Sequence, residues 1–389
     1  MNRIKQMRLA KGFSLEALAK AMEGAVTKQA LSKYEKGLAK PTATVAVRLA
    51  AALGVKTLQL WEEPAVTVEF VAYRRLSRLG KKEQVRIEAL TTKTLEDRCR
   101  LQGKLGLESS FEQIISHYPI YKIEEAEHAA AGMRKQWNLG VDAIHDLTGI
   151  LEDRLIHVLE LDAQREFDGI SAIAKNKSGR IIAGAVTSRK VVAGERQRMN
   201  LAHELGHLVL KPTKGCDEEK AAFRFAGAFL LPEESLKREI GERRSNIQLA
   251  ELLALKRRFK VSIQAVLYRM LDLDVISESL YKQWAITISQ QRWRKQEPES
   301  ITPEKSDWLN RMLSRALAEG IITTEEAENM SGSIQLEDLP APTKRAEFLR
   351  LPLEERRKLL KAQAEHLHKY YESLRDELDL ETSEGLEDD

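Results

Sequence analysis

The sequence predicts a mostly α-helical chain with one small β-sheet, and three observations carry that expectation. Apolar residues recur at steps of three and four over most of the 389 residues. β-Branched runs bounded by Asp-Gly and Asn-Lys-Ser-Gly turns are confined to 155–186. Proline is sparse, and five of the ten prolines (298, 303, 340, 342 and 352) fall late, where they mark boundaries rather than interrupt a helical run. A chain of this length is a prior for two or three domains. With 43% hydrophobic and 31% charged residues it has enough apolar surface to bury cores, which excludes a disordered chain. No apolar run approaches the ~20 residues of a membrane span, so no membrane partner is expected. Met1-Asn2-Arg3-Ile4-Lys5 opens an amphipathic pattern, not the apolar core of a secretion signal. Cys99 and Cys216 offer neither a disulfide framework nor a Cys-x-x-Cys pair, so a reducing, cytoplasmic setting is expected.

Residues 1–62 read as five short helices. Ile4, Met7 and Leu9 are the apolar side of the first, and Gly12 ends it. Ser14 is placed to cap a second helix whose Ala17, Leu18, Ala21 and Met22 turn inward. Thr27 caps a third that runs to Lys36, where Gly37 supplies the stop. Pro41-Thr42 opens a fourth, in which Val45, Leu49, Ala52 and Leu53 keep the helical period, and a short fifth covers 57–61. From Phe70 to about Leu107 the chain is charge-rich and helical, so 63–118 is expected to be a helical connector. Residues 119–295 contain two helices (123–137 and a second to Leu151), three strands (155–161, 169–175 and 180–186) and renewed helical patterning from Glu195, an α+β domain. Two helices around Gly320 are expected in 296–345, the second capped by Thr323-Thr324. Residues 346–389 read as an amphipathic helix with an acidic tail.

The net charge of +3 hides an asymmetry. Residues 1–61 carry eleven Lys/Arg against three Glu, a balance of +8, while 376–389 carry eight acids and no base. A basic head suits a polyanion, and an acidic tail suits solvent or a protein partner.

His203-Glu204-Leu205-Gly206-His207 is the pattern with chemistry in it. Histidines four apart on a helix share one face, close enough to hold one metal ion. Leu201, Leu205 and Leu208 supply the side that packs. Glu204 stands next to the ligand face, where a carboxylate can act as general base on a water that zinc (Zn2+) acidifies. A catalytic zinc needs a third protein ligand. Glu219, Ala222, Ala226 and Phe229 form one stripe on the following helix, which makes Glu219 the expected ligand, with Glu218, about 100° round the helix, the weaker candidate. Cys216 reads as a small loop residue.

These residues carry a resemblance. Glu195-Arg196-Gln197-Arg198, the His203–His207 motif, Glu219-Lys220-Ala221-Ala222, Arg224-Phe225-Ala226 and Leu230-Leu231-Pro232 resemble the ImmA/IrrE family of metallopeptidases. Trp137-Asn138-Leu139-Gly140, Phe167-Asp168-Gly169-Ile170-Ser171 and Ser289-Gln290-Gln291-Arg292-Trp293-Arg294 extend the likeness over roughly 123–295. It implies a zincin-like peptidase domain that cleaves helix-turn-helix repressors and thereby induces stress-response or mobile-element genes. Members often have Asn where this chain has Phe223, which puts the site's geometry in question.

Thr27-Lys28-Gln29-Ala30-Leu31-Ser32-Lys33-Tyr34-Glu35-Lys36-Gly37 resembles the recognition helix of phage-repressor type (xenobiotic-response-element family) helix-turn-helix domains. Ala30, Leu31 and Tyr34 are expected to face inward. Lys28, Gln29, Ser32 and Lys33 are expected on base edges of double-stranded DNA, with Lys36 and Lys40 on phosphates and the capping Thr27 counted among the DNA-binding residues. Leu15 stands where the family's second helix often opens with Gln. Such domains bind as dimers, so a homodimer is expected. At the other end Leu360, Ala364, Leu367, Tyr371, Leu374 and Leu378 make a heptad seam, and the stretch from Glu347 to about Leu374 is similar to small bacterial antitoxins, which implies a toxin partner. A helix packed on its own chain is the other reading of that stretch.

The reading that joins these features is a DNA-localised regulatory zinc endopeptidase acting on a repressor or an antitoxin. A transcriptional regulator whose metal domain senses a ligand or docks a partner, with little or no cleavage, stays open beside it. Glu204 favours the enzyme, because a structural zinc site has no use for a carboxylate there; Phe223 keeps the alternative alive.

Overall fold

Four helix starts in the N-terminal region are capped by short polar side chains. Asn2, Ser14, Thr27 and Thr42 each accept a backbone N–H of the following turn, opening α1 (Arg3–Ala10), α2 (Leu15–Ala21), α3 (Lys28–Glu35) and α4 (Ala43–Leu53). A 3-10 turn over Thr57–Leu60 completes the set. The computed structural model describes residues 2–71, 79–107, 117–164 and 166–331, with Arg357 and Lys361. Ile4, Met7, Leu18, Leu31, Leu49, Leu53 and Leu60 are the core of this head. Arg8 clamps α1 to α3 by donating to both oxygens of Glu35 at 2.6 and 2.9 Å.

The chain divides into two compact units, Met1–Arg311 and Met312–Asp389. In the first, the expected helical connector is corrected. Residues Thr67–Phe70 form β1, and the helix α5 is Lys81–Lys104. With β2 (Tyr118–Ile120), α6 (Ala126–Gln136), α7 (Leu147–Glu152), β3 (Ile156–Leu161), β4 (Gly169–Lys175) and β5 (Ile181–Arg189) they build the centre of the unit. The main sheet has the order β1-β4-β5-β3, β4 antiparallel to β1 and β5, and β3 parallel to β5. Leu95 and Cys99 of α5 pack on Ala172, Ala174, Ala183 and Ala185, whose small side chains let the helix lie close to one face of the sheet. The segment is therefore a structural layer. Arg3 and Gln6 of the head both reach the buried carboxylate of Glu96 on α5, Gln6 at 3.2 Å.

The opposite face is covered by α8 (Gly194–Val209), and α9 (Glu218–Leu230) packs on α8 in turn. Ile156, Val158 and Val186 of the sheet join Leu201, Leu205 and Phe225 of these helices in the largest core. Between the helices runs β6 (Leu210–Pro212), parallel to β2. At their crossing, a Cβ on Gly206 would lie 3.2 Å from the Ala222 Cα, so glycine permits an approach that a larger residue would spread. Helices α10 (Glu233–Ile240), α11 (Leu249–Phe259), α12 (Ile263–Asp272) and α13 (Glu278–Gln290) complete the unit. Glu127 of α6 pairs with Arg224 of α9 and Arg269 of α12, tying three helices together.

No break falls at 295/296. Glu304 pairs with the fully buried Arg198 of α8 and accepts the Thr148 N–H at 2.8 Å. Glu152 accepts the backbone N–H groups of Asp307 and Trp308 at 3.1 and 2.9 Å. Helix α14 (Trp308–Ala318) begins there. In the second unit α15 (Thr324–Ser331) opens on a reciprocal cap, Glu326 N–H to Thr323 Oγ1 at 3.2 Å and Thr323 N–H to the Glu326 carboxylate at 3.1 Å. The heptad seam, the antitoxin-like stretch and the acidic tail lie outside the described residues.

Candidate metal centre and nucleic-acid interface

Helix α8 is buried almost along its length, and its His203, Glu204 and His207 are all but closed to water. His203 and His207 point their Nε2 atoms at one another, 3.0 Å apart. From the first turn of α9, Glu219 brings one carboxylate oxygen to 3.4 Å from His203 Nε2 and the other to 3.5 Å from His207 Nε2. These are the three groups among the described residues that converge as a possible ion site. A tetrahedral zinc with bonds of ~2.0–2.1 Å holds its ligand atoms about 3.3 Å apart. The donor chemistry and the spacing both fit that ion.

Glu218, the weaker candidate from sequence, lies on the other side of the same ring, its Oε1 3.2 Å from His207 Nδ1. The two glutamates thus meet different nitrogens of His207, a division of labour that helical phase alone does not reveal. A carboxylate on the outer nitrogen fixes the ring and its tautomer. Burial works against protonating His207, yet Glu219, Glu204 and Glu218 outweigh it and hold the imidazole above its usual value.

Glu204 is fully buried beneath the start of β4. A Cβ on Gly169 would stand 2.9 Å from its Oε1. The strand is held there from both sides. Asn200 Nδ2 donates to the Asp168 carbonyl at 3.0 Å, Arg196 pairs with the Asp168 side chain, and the Ile170 N–H donates to Thr187 Oγ1 at 2.9 Å. Phe223, one turn after Glu219, lays its ring 4.1 Å from that of His203 at an angle of 55°.

In the head, Thr27 Oγ1 accepts the Ala30 N–H at 3.2 Å and sets the start of α3. Leu31 is buried, and Ala30 and Tyr34 pack against the same core. Lys28, Gln29, Lys33 and Lys36 are exposed with Ser32 half-buried beside them, one hydrophilic face on a helix whose inner face is closed. Lys28 comes only to 3.9 Å from Glu16 of α2, both well exposed, a contact too weak to hold it.

Fold and site together define a helix-turn-helix domain joined to a metallopeptidase-type domain. Residues 4–60 match the family model for the helix-turn-helix, and residues 191–271 match that for the IrrE N-terminal-like domain. This is the fusion that the sequence motifs predict. No curated protein and no solved structure matches the chain. Among the described residues no helix is long and apolar enough to cross a membrane.

Proposed function

We propose that the protein is a regulatory zinc endopeptidase that its own N-terminal domain brings to DNA. The observation that carries the reading is the 3.0, 3.4 and 3.5 Å spacing of the donor atoms of His203, His207 and Glu219, beside a buried glutamate on the same helix. His203, His207 and Glu219 hold the ion, and Glu218 orients His207. When bound, zinc supplies Lewis acidity, which polarises the scissile carbonyl and makes water a better nucleophile at neutral pH. Glu204 takes the proton of the attacking water and hands it to the nitrogen of the departing chain. Gly169 leaves room for that carboxylate.

Helix α3 carries the DNA contacts: Lys28, Gln29, Ser32 and Lys33 on base edges and Lys36 on phosphate, with two copies of the chain spanning two half-sites. The likeness to ImmA/IrrE peptidases makes the substrate a protein, a transcriptional repressor or an antitoxin, whose loss switches on stress-response, mobile-element or toxin–antitoxin genes. Mass spectrometry of zinc-loaded protein mixed with the regulators and antitoxins encoded beside it tests this; complementary fragments of one of them are expected. The Phe223 ring at 4.1 Å from His203 favours a second reading, a metal-dependent sensor or docking module. Bound zinc with every candidate substrate intact would select it.

A further inference from the structure

The metal centre has an apolar neighbour built on the same two helices. Met199 lies one turn before His203 on α8, and Phe223 lies one turn after Glu219 on α9. Both line a cavity of about 490 Å³, to which α12 contributes Ala265 and Tyr268. Gly227 also lines it, and the absence of bulk at Gly227 and Ala265 keeps the space open. The cavity shares a wall with the metal centre, since Phe223 lines the one and touches His203 in the other. Phe223 and Tyr268 leave 46% and 51% of their surfaces to water, although large aromatic groups gain most from cover. Its charged lining is Glu124, Lys220, the buried Arg269 and the Arg224–Asp272 pair at 3.0 Å, with Ser262 and Gln264 beside them. An aromatic and apolar side facing a few convergent polar groups is the make-up of a ligand pocket of this size.

Its position says which ligand. One helical turn is ~5.4 Å, and successive Cα atoms of a polypeptide are 3.80 Å apart. The cavity walls are thus one turn from the metal ligands on both helices, within reach of the side chain of a residue adjoining a peptide bond held at the metal centre. We propose that the cavity is a specificity pocket that takes one large apolar side chain (Leu, Met or Phe) of the substrate, on a residue next to the scissile bond. Phe223 and Tyr268 grip that side chain, and Ala265 sets how large it can be. The proposal rests on the peptidase reading above.

Two readouts test it. In the first, full-length zinc-loaded Glu204→Gln protein is titrated with fluorescent octapeptides that differ at one position, carrying Phe, Leu, Ala or Lys. The Phe and Leu peptides should bind ~10-fold or more tightly than the Ala peptide. Ala265→Trp, which fills the cavity, should abolish that preference with zinc content unchanged. Tyr268→Ala, at an exposed position that leaves folding intact, should reduce it. In the second, the protein with Glu204 intact is given a pool of proteome-derived peptides, and cleaved bonds are read by mass spectrometry. Large apolar residues should be enriched at one position beside the cut. Cleavage without such enrichment overturns the pocket and leaves the peptidase reading standing. Preferential binding that both variants weaken, without any cleavage, overturns the peptidase reading and keeps the pocket. A preference that survives both variants, or no preference in binding, overturns the pocket.

Discussion

Gly169 lies so close to Glu204 that a methyl group on its Cα would stand 2.9 Å from Glu204 Oε1 and 2.8 Å from the Thr187 carbonyl oxygen. The first residue of β4 and the glutamate of α8 thus fit only while position 169 has no side chain. Gly169→Ala should force one of them aside, with overpacking costing about 1–3 kcal/mol. A lower melting temperature with zinc still bound and hydrolysis reduced is expected. Thermal melts beside metal analysis check it, and an unchanged melting temperature would show that the strand yields without strain.

The donor set predicts a graded response to losing each carboxylate. Glu219→Ala removes the oxygens that face both Nε2 atoms and should abolish stoichiometric zinc, as should His203→Ala. Glu218→Ala removes only the partner of His207 Nδ1 and should weaken zinc by about 10–100-fold. Competition titration against a chromophoric chelator measures the three variants. A larger loss with Glu218→Ala than with Glu219→Ala would exchange the roles of the two glutamates.

His157 predicts an acid sensitivity far from the metal. It is completely buried on β3, its ring 4.4 Å from that of Trp308, and neither ring nitrogen has a hydrogen-bond partner among the described residues. Burial first, and the nearby Arg98 charge second, push its pKa well below the usual value. The folded state keeps it neutral while the unfolded chain takes up a proton below about pH 6.5. The stability it allows is therefore complete above that pH and is lost as pH falls toward the depressed folded value, by up to about 1.4 kcal/mol per pH unit. His157→Leu should flatten the fall in denaturant midpoint between pH 6.5 and 4.5. Parallel curves for the two proteins would show that His157 plays no part.

Much of this arrangement was legible in the residues, and the gaps have physical causes. Ser14, Thr27 and Thr42 announce helix starts because a cap is a local interaction, and 169–175 reads as a strand because its turns and β-branched residues are local too. β5 runs on past Val186 to Arg189, where the buried polar residues Thr187 and Ser188 hide the strand. β1, β2 and β6 have only three or four residues each, and what makes them strands is a partner far away in sequence. α5 looks like a charged connector until the alanine-lined face of the sheet is seen to receive Leu95 and Cys99. At the site, the His203–His207 spacing and the Glu219 stripe are helical periodicities. The contact of Glu218 with His207 Nδ1 and the ring of Phe223 on His203 depend on how α9 crosses α8, which no periodicity encodes.

The head should bind duplex DNA with a steep salt dependence, because each phosphate contact releases counterions. Gln29→Ala should cost about 1–3 kcal/mol of discrimination between operator and random duplex if its contact is bidentate. Lys36→Ala should weaken both duplexes about equally. Anisotropy titrations of the full chain at several salt concentrations read both effects. Salt-independent binding, or none, would make α3 a protein-docking surface.

The most direct measurement of the central claim compares the protein having Glu204 with the Glu204→Gln variant, both loaded with zinc, on the same protein substrate. The amide keeps the size of the side chain but cannot accept the proton. The variant should bind zinc with the same stoichiometry, melt at nearly the same temperature and cleave about 10²–10⁴-fold more slowly. Equal cleavage by the two proteins would contradict the account, since Glu204 would then have no part in breaking the bond.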